Sequence, residues 1–359
     1  MDNSRLSVET GNDVLKEFYN KMEALDIQIN GIFIFVYNGM DSYCDDPHLE
    51  ECFDDSEVHE ILDSVNDLFK ETKAFSSEEK FIKWCTREKN ENYPVFVYSM
   101  AQYVPGFGRR TLIPAICEYY GFININADAY MSAIGCNKST MYTLLTNTNF
   151  SHILPKTHFI NSINELEADT FLRDVEKTYV VKPINESCCI DVTILSEQPY
   201  ISRKEIAKKL LTKYGHFMIQ EYIDGDEVGI TVIFHNGLFY TLTPMQIIFF
   251  SQKKYLTHED SYYNNYKLKE RIVDNQILNK CREISQELGF KCTTRLDFRI
   301  TDDDFFLFDI SPNPTINGYV SSNLAAQATL GCDRRGIFRF MIYEKLPLLE
   351  PSLYRTKQI

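Results

Sequence analysis

Residues 293–315 read TTRLDFRITDDDFFLFDISPNPT, and no other stretch of the chain predicts as much about its fold. Two runs of strand-forming residues, 293–300 and 305–310, flank a turn of successive aspartates, which is typical of a β-hairpin. Side chains that stand opposite one another on paired strands lie close together. We therefore expect Asp297 of the first strand to face Asp309 of the second.

Oxygen ligands and a cation surround this acidic pair. Ser311 and Asn313 follow the second strand on a loop bounded by prolines. Two carboxylates with neighbouring oxygen ligands suit Mg²⁺, which usually also holds substrate phosphates. Arg295 precedes Asp297 by two positions and shares its face of the strand. A cation beside a metal site suits a reaction in which negative charge develops on an oxygen. Taken alone, the stretch is equally compatible with a hairpin whose acids are solvated.

The charge of the chain limits its partners. Lysine and arginine number 37 and aspartate and glutamate 51 in 359 residues, which gives a net charge of -14. Such a surface repels phosphate backbones, so we expect no nucleic-acid partner. The length and the hydrophobic fraction of 44% are those of a globular protein with two or three domains. A site for a nucleotide must therefore gather cations locally and use a metal.

The cysteines and the N-terminus predict a cytoplasmic protein. The ten cysteines show no CxxC spacing, which indicates reduced thiols in a reducing compartment. Cys188 and Cys189 are adjacent, and neighbouring cysteines rarely bridge without strain. The N-terminus shows no signal peptide, and no apolar run approaches the roughly 20 residues of a spanning helix. We expect no membrane partner. Whether the protein forms a homodimer is left open by the sequence.

The first part of the chain alternates strands and helices, which is typical of an α/β domain with a parallel sheet. The predicted strands cover 31–37, 93–98 and 122–125, and the predicted helices cover 57–69 and 112–120. We assign residues 1–128 to one small doubly wound domain. The acid-rich segment 41–60 is expected to be a solvated loop, with contact to a substrate as the less favoured alternative.

Two further domains are predicted, at 129–223 and 224–359. The first contains helices at 129–145 and 202–214, the second of them capped by Ser202, and strands at 178–183, 191–195 and 217–223, with the loop 184–190 inside a hairpin. The second contains strands at 227–235 and 238–250, a helix at 267–288, the acidic hairpin and a terminal helix from Ser322.

Two lysines are candidates for phosphate binding. Lys182 ends an apolar strand, and Lys138 lies on a helix before it. Either could be an ordinary surface lysine, but an apolar strand is a poor place for one. An ammonium group is a compact charge that suits phosphate oxygens.

The strand that ends at Gln220 and Glu221 is a candidate for binding a nucleoside. Where a strand leaves one lobe for another, its backbone N–H and C=O groups can read an adenine edge, and Glu227 could accept hydrogen bonds from ribose hydroxyls. An ordinary tight turn is expected at 224–225 whether or not this strand binds a nucleoside.

Six pieces of the chain, in order, resemble the ATP-grasp superfamily and, within it, the D-alanine–D-alanine ligase-like branch. They are GRRTLIPAICEYYGF, SAIGCNKSTMYTLL, YVVKP, MIQEYIDGDEVGITVI, the KKY of residues 253–255, and RLDFRI with FFLFDISPNP. The resemblance covers about residues 94–345. It implies a fold of three α/β and α+β domains in which ATP is held between two antiparallel sheets.

The resemblance also implies a role for each matching residue. For the nucleotide, Lys138 and Lys182 would hold the ATP phosphates, with Ser187 as a hydrogen-bond donor in the covering loop. Gln220, Glu221 and Ile223 would frame adenine, and Glu227 would bind ribose.

For the metal and the reaction, Mg²⁺ would be held by Asp297, Asp309 and Ser311 or Asn313, and Arg295 would face the oxyanion. Lys254 and Tyr255 would belong to a mobile loop, at about 250–266, that closes on the γ-phosphate.

The chain departs from the family pattern at several positions. Asp309 stands where the family usually has a longer Glu, and Ser311 where it usually has Asn. The phosphate-covering loop 184–190 lacks the usual glycines, and its bulky residues limit close backbone approach. The N-terminal motif for the first amino acid of true D-alanine ligases is not visible, so D-alanine is not the expected substrate.

The predicted function is an ATP-dependent carboxylate–amine ligase that forms a peptide or amide bond through an acyl phosphate. Its partners would be a small-molecule carboxylate and a small-molecule amine, with ATP and Mg²⁺ required. Arg109 and Arg110 either contact the nucleotide or substrate or are surface arginines. Two alternatives stay open: an ATP-grasp kinase of a small molecule, and a nucleotide-binding regulatory homologue without turnover.

Overall fold

The computed structural model contains three β-sheets with helices packed around them. It describes residues 8–40, 48, 51–87, 93–104, 106, 108–250, 254–316, 318–349 and 354–355. Within these ranges, every helix is too short or too polar to traverse a lipid bilayer.

Four strands of the first sheet pair in parallel, as the alternation of strands and helices predicts. Its part of the chain contains α1 (Val8–Ala24), β1 (Gln28–Val36), α2 (Asp55–Asp63), β2 (Phe69–Phe75), α3 (Glu78–Arg87), β3 (Val95–Ser99), α4 (Leu112–Tyr120) and β4 (Ile123–Asn124). The strands lie in the order β2–β1–β3–β4. The helix predicted over 57–69 stops at Asp63, because Phe69 begins β2, a strand that sequence reasoning missed along with α1 and α3.

The central sheet is antiparallel throughout. Its part of the chain contains α5 (Ala129–Gly135), α6 (Lys138–Thr146), β5 (Thr157–Ile160), α7 (Ile163–Ala168), α8 (Thr170–Arg173), β6 (Tyr179–Pro183), β7 (Thr193–Leu195), α9 (Tyr200–Tyr214) and β8 (Phe217–Glu221). The strand order is β5–β8–β6–β7. Two predictions were wrong here. The helix over 129–145 is interrupted by Asn137, which caps α6, and α9 begins after Pro199, so Ser202 is not its N-cap.

The third sheet carries the acidic hairpin. Its part of the chain contains β9 (Asp226–His235), β10 (Leu238–Thr241), β11 (Met245–Phe249), α10 (His258–Tyr262), β12 (Tyr266–Glu270), α11 (Asn275–Glu287), β13 (Thr294–Ile300), β14 (Phe305–Ser311), α12 (Ser321–Leu330), α13 (Gly336–Tyr343) and β15 (Tyr354–Arg355). The order is β12–β11–β9–β13–β14, with β10 also on β9, while β15 returns to β1 of the first sheet.

Two predictions in this third part were also wrong. The strand expected over 238–250 is two strands, β10 and β11. Residues 266–270 form strand β12 rather than the start of a helix, because they pair with β11, where Leu268 stands opposite Ile247. The helix in this region begins only at Asn275.

Strand alternation explains how the central and third sheets present a site. In β6, Val181 is buried against helices α7–α9, whereas Val180 and Lys182 point the other way. In β13, Leu296 and Phe298 are buried on the face that packs against α11. The opposite faces of the two sheets therefore enclose a cavity. Apart from β15, the strands of each sheet fall within one of the three predicted domains, 1–128, 129–223 and 224–359. The domain boundaries themselves stay predictions.

Candidate active site

A cavity of about 720 Å³ lies between the inner faces of the central and third sheets. Its lining includes all but one of the residues proposed from the sequence for nucleotide, metal and oxyanion binding. They are Lys138, Lys182, Ser187, Gln220, Glu221, Ile223, Glu227, Tyr255, Arg295, Asp297, Asp309, Ser311 and Asn313. Residues that are up to 175 positions apart in the sequence thus meet in one place.

The acidic hairpin has the predicted register. Asp297 of β13 and Asp309 of β14 are direct cross-strand partners, and Arg295 is opposite Ser311. Arg295 forms a bidentate ion pair with Asp297, with Nε 2.7 Å from Oδ1 and Nη2 2.9 Å from Oδ2. Burial disfavours the charged form of Arg295, but the attraction of the Asp297 carboxylate is stronger than this effect of burial. The pKa of Arg295 is therefore held above its usual value. The pair fixes the guanidinium inside the cavity.

A β-bulge in β14 places two neighbouring side chains in the cavity. Asp297 pairs with Asp309 but Phe298 pairs with Leu307, so Phe308 is the extra residue. Both Phe308 and Asp309 consequently line the cavity. The Phe308 ring lies 5.6 Å from Lys182 Nζ, within the range of a cation–π contact.

The donor set at the hairpin fits Mg²⁺. Cross-strand partners have Cβ atoms about 4.5–5.5 Å apart, close enough for Asp297 and Asp309 to share one ion. The hydroxyl of Ser311 can supply a third oxygen, because Ser311 lies two positions after Asp309 on β14 and shares its face. Asn313 is less suitable because its amide is already engaged: it donates to the carbonyl of Ser99 at 3.2 Å and accepts a hydrogen bond from Asn126.

Both candidate phosphate lysines are directed at this hairpin. Lys182 is only 7% exposed, and its Nζ lies 3.3 Å from the carbonyl oxygen of Phe308. Lys138 Nζ lies 3.6 Å from Asp309 Oδ2 and donates to the carbonyl of Glu186 at 2.8 Å. Two ammonium groups and a carboxylate pair thus share one end of the cavity, as binding of a metal–phosphate complex requires.

The phosphate-covering loop is tied to the first domain by two arginines. Arg109 donates to the carbonyl of Asn185 at 2.9 Å and pairs with Glu186 at 3.1 Å. Arg110 donates to Ser187 Oγ at 3.1 Å, and Ser187 in turn donates to Glu51. Neither arginine is therefore a surface residue, and both hold the loop in position.

The residues proposed for the nucleoside line the same cavity. Gln220 is buried and donates to Tyr142, whose hydroxyl donates to the carbonyl of Phe308 at 3.1 Å. Glu227 is paired with Arg299 at 2.6 Å, and burial raises the pKa of this carboxyl. Gln220 and Glu227 are thus each fixed by a neighbour, while Glu221 and Ile223 line the wall where β8 ends.

The family model for the ATP-grasp domain matches residues 136–317, which covers both antiparallel sheets that enclose the cavity. The chain belongs to the ATP-grasp domain family. Among its relatives is a D-alanine–D-alanine ligase of Wolbachia pipientis subsp. Culex pipiens, 25% identical over 252 residues that cover 67% of this chain and 74% of the relative. One from Petrotoga mobilis is 26% identical over 216 residues, covering 58% and 67%.

Solved structures agree with this ATP-grasp fold. A D-alanine–D-alanine ligase from Bacillus anthracis complexed with ATP matches with a TM-score of 0.68 at 13% identity, covering 89% of this chain and 98% of that one. The VanG D-Ala:D-Ser ligase from Enterococcus faecalis matches with a TM-score of 0.60 at 16% identity, covering 87% and 98%. The predicted fold and the predicted resemblance to the D-alanine–D-alanine ligase-like branch are both confirmed.

Lys254 is the one proposed site residue that does not line the cavity of this ATP-grasp protein. It is exposed, and its Nζ pairs with both oxygens of Asp224, at 2.9 and 3.0 Å. An exposed carboxylate outside the cavity thus holds the Lys254 ammonium, and the place of Lys254 in a loop that closes on the γ-phosphate stays a prediction. Tyr255, the next residue, does line the cavity.

The expected loop at 250–266 is partly a helix. Helix α10 lies within it, and His258 of this helix is 3.0 Å through Nδ1 from the carbonyl oxygen of Cys188 in the phosphate-covering loop. Residues 251–253, including Lys253, lie outside the described residues. The described residues 255–266 thus contribute to the lining of the ATP-grasp cavity and touch the loop opposite.

The acid-rich segment is not simply a solvated loop. Four of its residues line the cavity, Cys52, Asp54, Glu57 and Glu60, the last two in α2. Glu51 is buried, and its Oε1 lies 3.6 Å from Arg109. Residues 41–47 and 49–50 lie outside the described part of the chain. The prediction failed because the charge run was judged by composition, whereas α2 packs its first turns towards the cavity.

Sequence reasoning also missed Glu51, Tyr142, Arg299 and Phe308, which contact site residues or line the cavity. Arg299 could have been found, because it lies two positions after Asp297 and so shares its face. Tyr142 and Glu51 have no local signal, since their partners lie far away in the sequence, at Phe308 and Ser187. Phe308 reaches the cavity only through the bulge, which no sequence pattern announces.

The buried position of Lys182 predicts a pH-dependent affinity for nucleotide. Burial, reinforced by Lys138 and opposed by Asp309, lowers the pKa of Lys182 to about 8. Below pH 8 the ammonium is present and can contact phosphate, whereas above it the neutral amine cannot. Affinity for an ATP analogue should therefore fall as the pH rises through 8, and binding near pH 8 should take up a proton, measurable by calorimetry in buffers of different ionisation enthalpy. The same proton uptake in Lys182→Met would contradict this assignment.

Proposed function

We propose that this protein is an ATP-dependent ligase that joins a carboxylate to an amine through an acyl phosphate. The observation that carries the proposal is the meeting of five charged groups in one cavity: Asp297 and Asp309, with Arg295, Lys138 and Lys182 around them. The relatives named as D-alanine–D-alanine ligases support small amino acids or a small peptide as substrates.

In the first half-reaction, an oxygen of the substrate carboxylate attacks the γ-phosphorus, the bond to ADP breaks, and an acyl phosphate forms. Lys138 and Lys182 would hold the phosphate oxygens, and their ammonium groups would offset the charge of the nucleotide. Asp297, Asp309 and Ser311 would hold Mg²⁺, whose charge would offset that of the transferring phosphoryl group.

In the second half-reaction, the amine attacks the acyl carbon, and phosphate leaves from a tetrahedral intermediate whose oxygen carries negative charge. Arg295 would stabilise that oxygen. Its bidentate pair with Asp297 fixes the guanidinium before the charge develops, so little reorganisation is needed during the step. The reduced cysteines predicted from the sequence support a cytoplasmic location for this chemistry.

A pairwise screen tests the proposal. The protein, ATP and Mg²⁺ are incubated with every pair from a set of amino acids, polyamines and dipeptides, and phosphate release and product mass are measured together. The expected result is phosphate release for particular pairs, with a product whose mass is the sum of both substrates minus water. A phosphorylated substrate would instead identify a kinase, and no ADP with any pair would identify a homologue without turnover.

We expect the segment at 250–266 to act as a lid over the acyl phosphate. It contributes Tyr255 and α10 to the cavity, and closure would protect the intermediate from hydrolysis. Cleavage by trypsin near Lys254 should be fast in the free protein and slow with Mg²⁺, an ATP analogue and the right carboxylate. Equal cleavage rates with and without these ligands would show that the segment is only a surface connection.

A further inference from the structure

Arg299 connects three parts of the protein that meet beside the cavity. On β13 it stands opposite Glu227 of β9, and its Nη2 pairs with Glu227 Oε2 at 2.6 Å. Its Nη1 donates to the carbonyl oxygen of Gly225, between β8 and β9, at 3.0 Å, and to that of Lys254 at 2.7 Å. One guanidinium therefore holds both the residue proposed for ribose and the start of the segment 254–266.

The surroundings of this guanidinium fix its orientation. Arg299 is 8% exposed, and the rings of Tyr222 and Phe308 lie 5.8 and 5.6 Å from its Cζ, within the range of cation–π contacts. The planar fork of arginine directs its donors at several acceptors at once, which the single ammonium group of lysine does not reproduce. An ion pair that served stability alone would need only Glu227, whereas Arg299 also donates to backbone carbonyls of two separate segments.

The carbonyl oxygen of Lys254 accepts a second hydrogen bond. Besides Arg299, the hydroxyl of Tyr222 donates to it at 3.3 Å. The Tyr222 ring also packs edge-on against the ring of Tyr255, with centroids 6.5 Å apart. The start of the segment 254–266 is thus anchored to the connection that follows β8. Lys254 does not itself line the cavity, so a bound nucleotide acts on this anchor only through the residues between them.

We propose that Arg299 is a positioning residue that orients Glu227 for ribose and couples ribose binding to the anchoring of the segment 254–266. Arg299 takes Oε2 of Glu227, so Oε1 can accept a hydrogen bond from a ribose hydroxyl. Ribose that orders Glu227 thereby orders Arg299 and, with it, the carbonyl of Lys254. The coupling is reciprocal, because each contact reduces the ordering that the other requires. The inference deepens the proposed function and rests on its placement of ribose at Glu227.

Trypsin reports on this anchor directly. It hydrolyses the peptide bond after Lys254, whose carbonyl oxygen is the atom that Arg299 and Tyr222 hold, so cleavage requires both hydrogen bonds to open. The wild type is digested with Mg²⁺ and saturating ADP or 2′,3′-dideoxy-ADP, which lacks both ribose hydroxyls, and the cut after Lys254 is timed by mass spectrometry. ADP should slow this cut about tenfold relative to dideoxy-ADP. Neither nucleotide has a γ-phosphate, so closure on that group does not contribute.

Arg299→Lys keeps a cation opposite Glu227 but cannot hold all three acceptors. By calorimetry, the wild type should bind ADP about tenfold more tightly than dideoxy-ADP, because hydrogen bonds to a carboxylate are strong. In Arg299→Lys this ratio should fall to about threefold or less, the cut after Lys254 should be about tenfold faster without nucleotide, and the protection by ADP should disappear. The matched control Arg282→Lys, at a buried arginine of α11 outside the cavity, should change none of these values.

Tyr222→Phe separates anchoring from ribose recognition. It keeps the ring beside Arg299 and removes one donor to the Lys254 carbonyl, so it should speed the cut while the affinity ratio stays at the wild-type value. Equal protection of the wild type by both nucleotides overturns the role of Arg299, and this comparison needs no variant to fold. An unchanged affinity ratio in folded Arg299→Lys overturns it as well. Absence of ADP binding by the wild type would instead overturn the proposed function, and this inference with it.

Discussion

Replacing Asp309 with asparagine is expected to lower ATP-dependent turnover by about two to three orders of magnitude, since a metal contributes several kcal/mol to phosphoryl transfer. Asparagine keeps the size of the side chain and can still accept the hydrogen bond that Asp309 Oδ1 receives from the backbone N–H of Ile310 at 3.0 Å. The fold should therefore survive while the carboxylate pair with Asp297 is lost. ADP release and the thermal unfolding curve measure the two effects separately.

Asp302→Asn is the matched control for this experiment. Asp302 is exposed at the turn of the same hairpin and does not line the cavity, so its neutralisation should leave turnover unchanged. A similar loss in both variants would indicate a general electrostatic effect. Full turnover in Asp309→Asn would mean that the metal site is elsewhere.

Replacing Lys182 with methionine should weaken binding of an ATP analogue with Mg²⁺ by about ten- to a hundredfold, the effect of losing a charge-assisted contact worth about 1.5–3 kcal/mol. Methionine retains an apolar stem that can pack against Phe308, so the loss reports the ammonium rather than the packing. Isothermal titration calorimetry is the measurement.

Lys83→Met is the matched control, because Lys83 is exposed on α3 and pairs only with the exposed Glu79 among the ion pairs of the described residues. Its affinity for the analogue should equal that of the wild type. If Lys182→Met binds the analogue as tightly as the wild type does, Lys182 is structural. Of the two candidate lysines, only Lys138 would then contact the phosphates.

The acidic hairpin was predictable almost residue by residue. Its first strand alternates apolar and polar residues, its second is mostly apolar, and an acidic turn joins them; the period of two along a strand predicts which side chains share a face. The shared strand face placed Arg295 in the cavity, and the apolar strand around Lys182 indicated that this lysine is not on the surface. Short charged strands were not predictable: 266–270 is a strand because β11 lies beside it, and that pairing is a tertiary contact.

The remainder of the site depends on contacts between distant parts of the chain. The network of Glu51, Ser187 and Arg109 joins the first domain to the phosphate-covering loop, and nothing near any one of these residues indicates the others. The orientation of Lys254 towards Asp224 is decided by where an exposed carboxylate lies. Sequence patterns therefore identify candidate residues, whereas their mutual arrangement requires the fold.

The origin of the oxygen in the released phosphate tests the central claim most directly. The protein is incubated with Mg²⁺, ATP and amino acids labelled with ¹⁸O in their carboxyl groups, and the phosphate is analysed by mass spectrometry. If a carboxylate attacks the γ-phosphorus and an amine then displaces phosphate from the acyl carbon, one ¹⁸O from the carboxylate appears in inorganic phosphate. Phosphate released in step with product but without ¹⁸O would contradict the acyl-phosphate account.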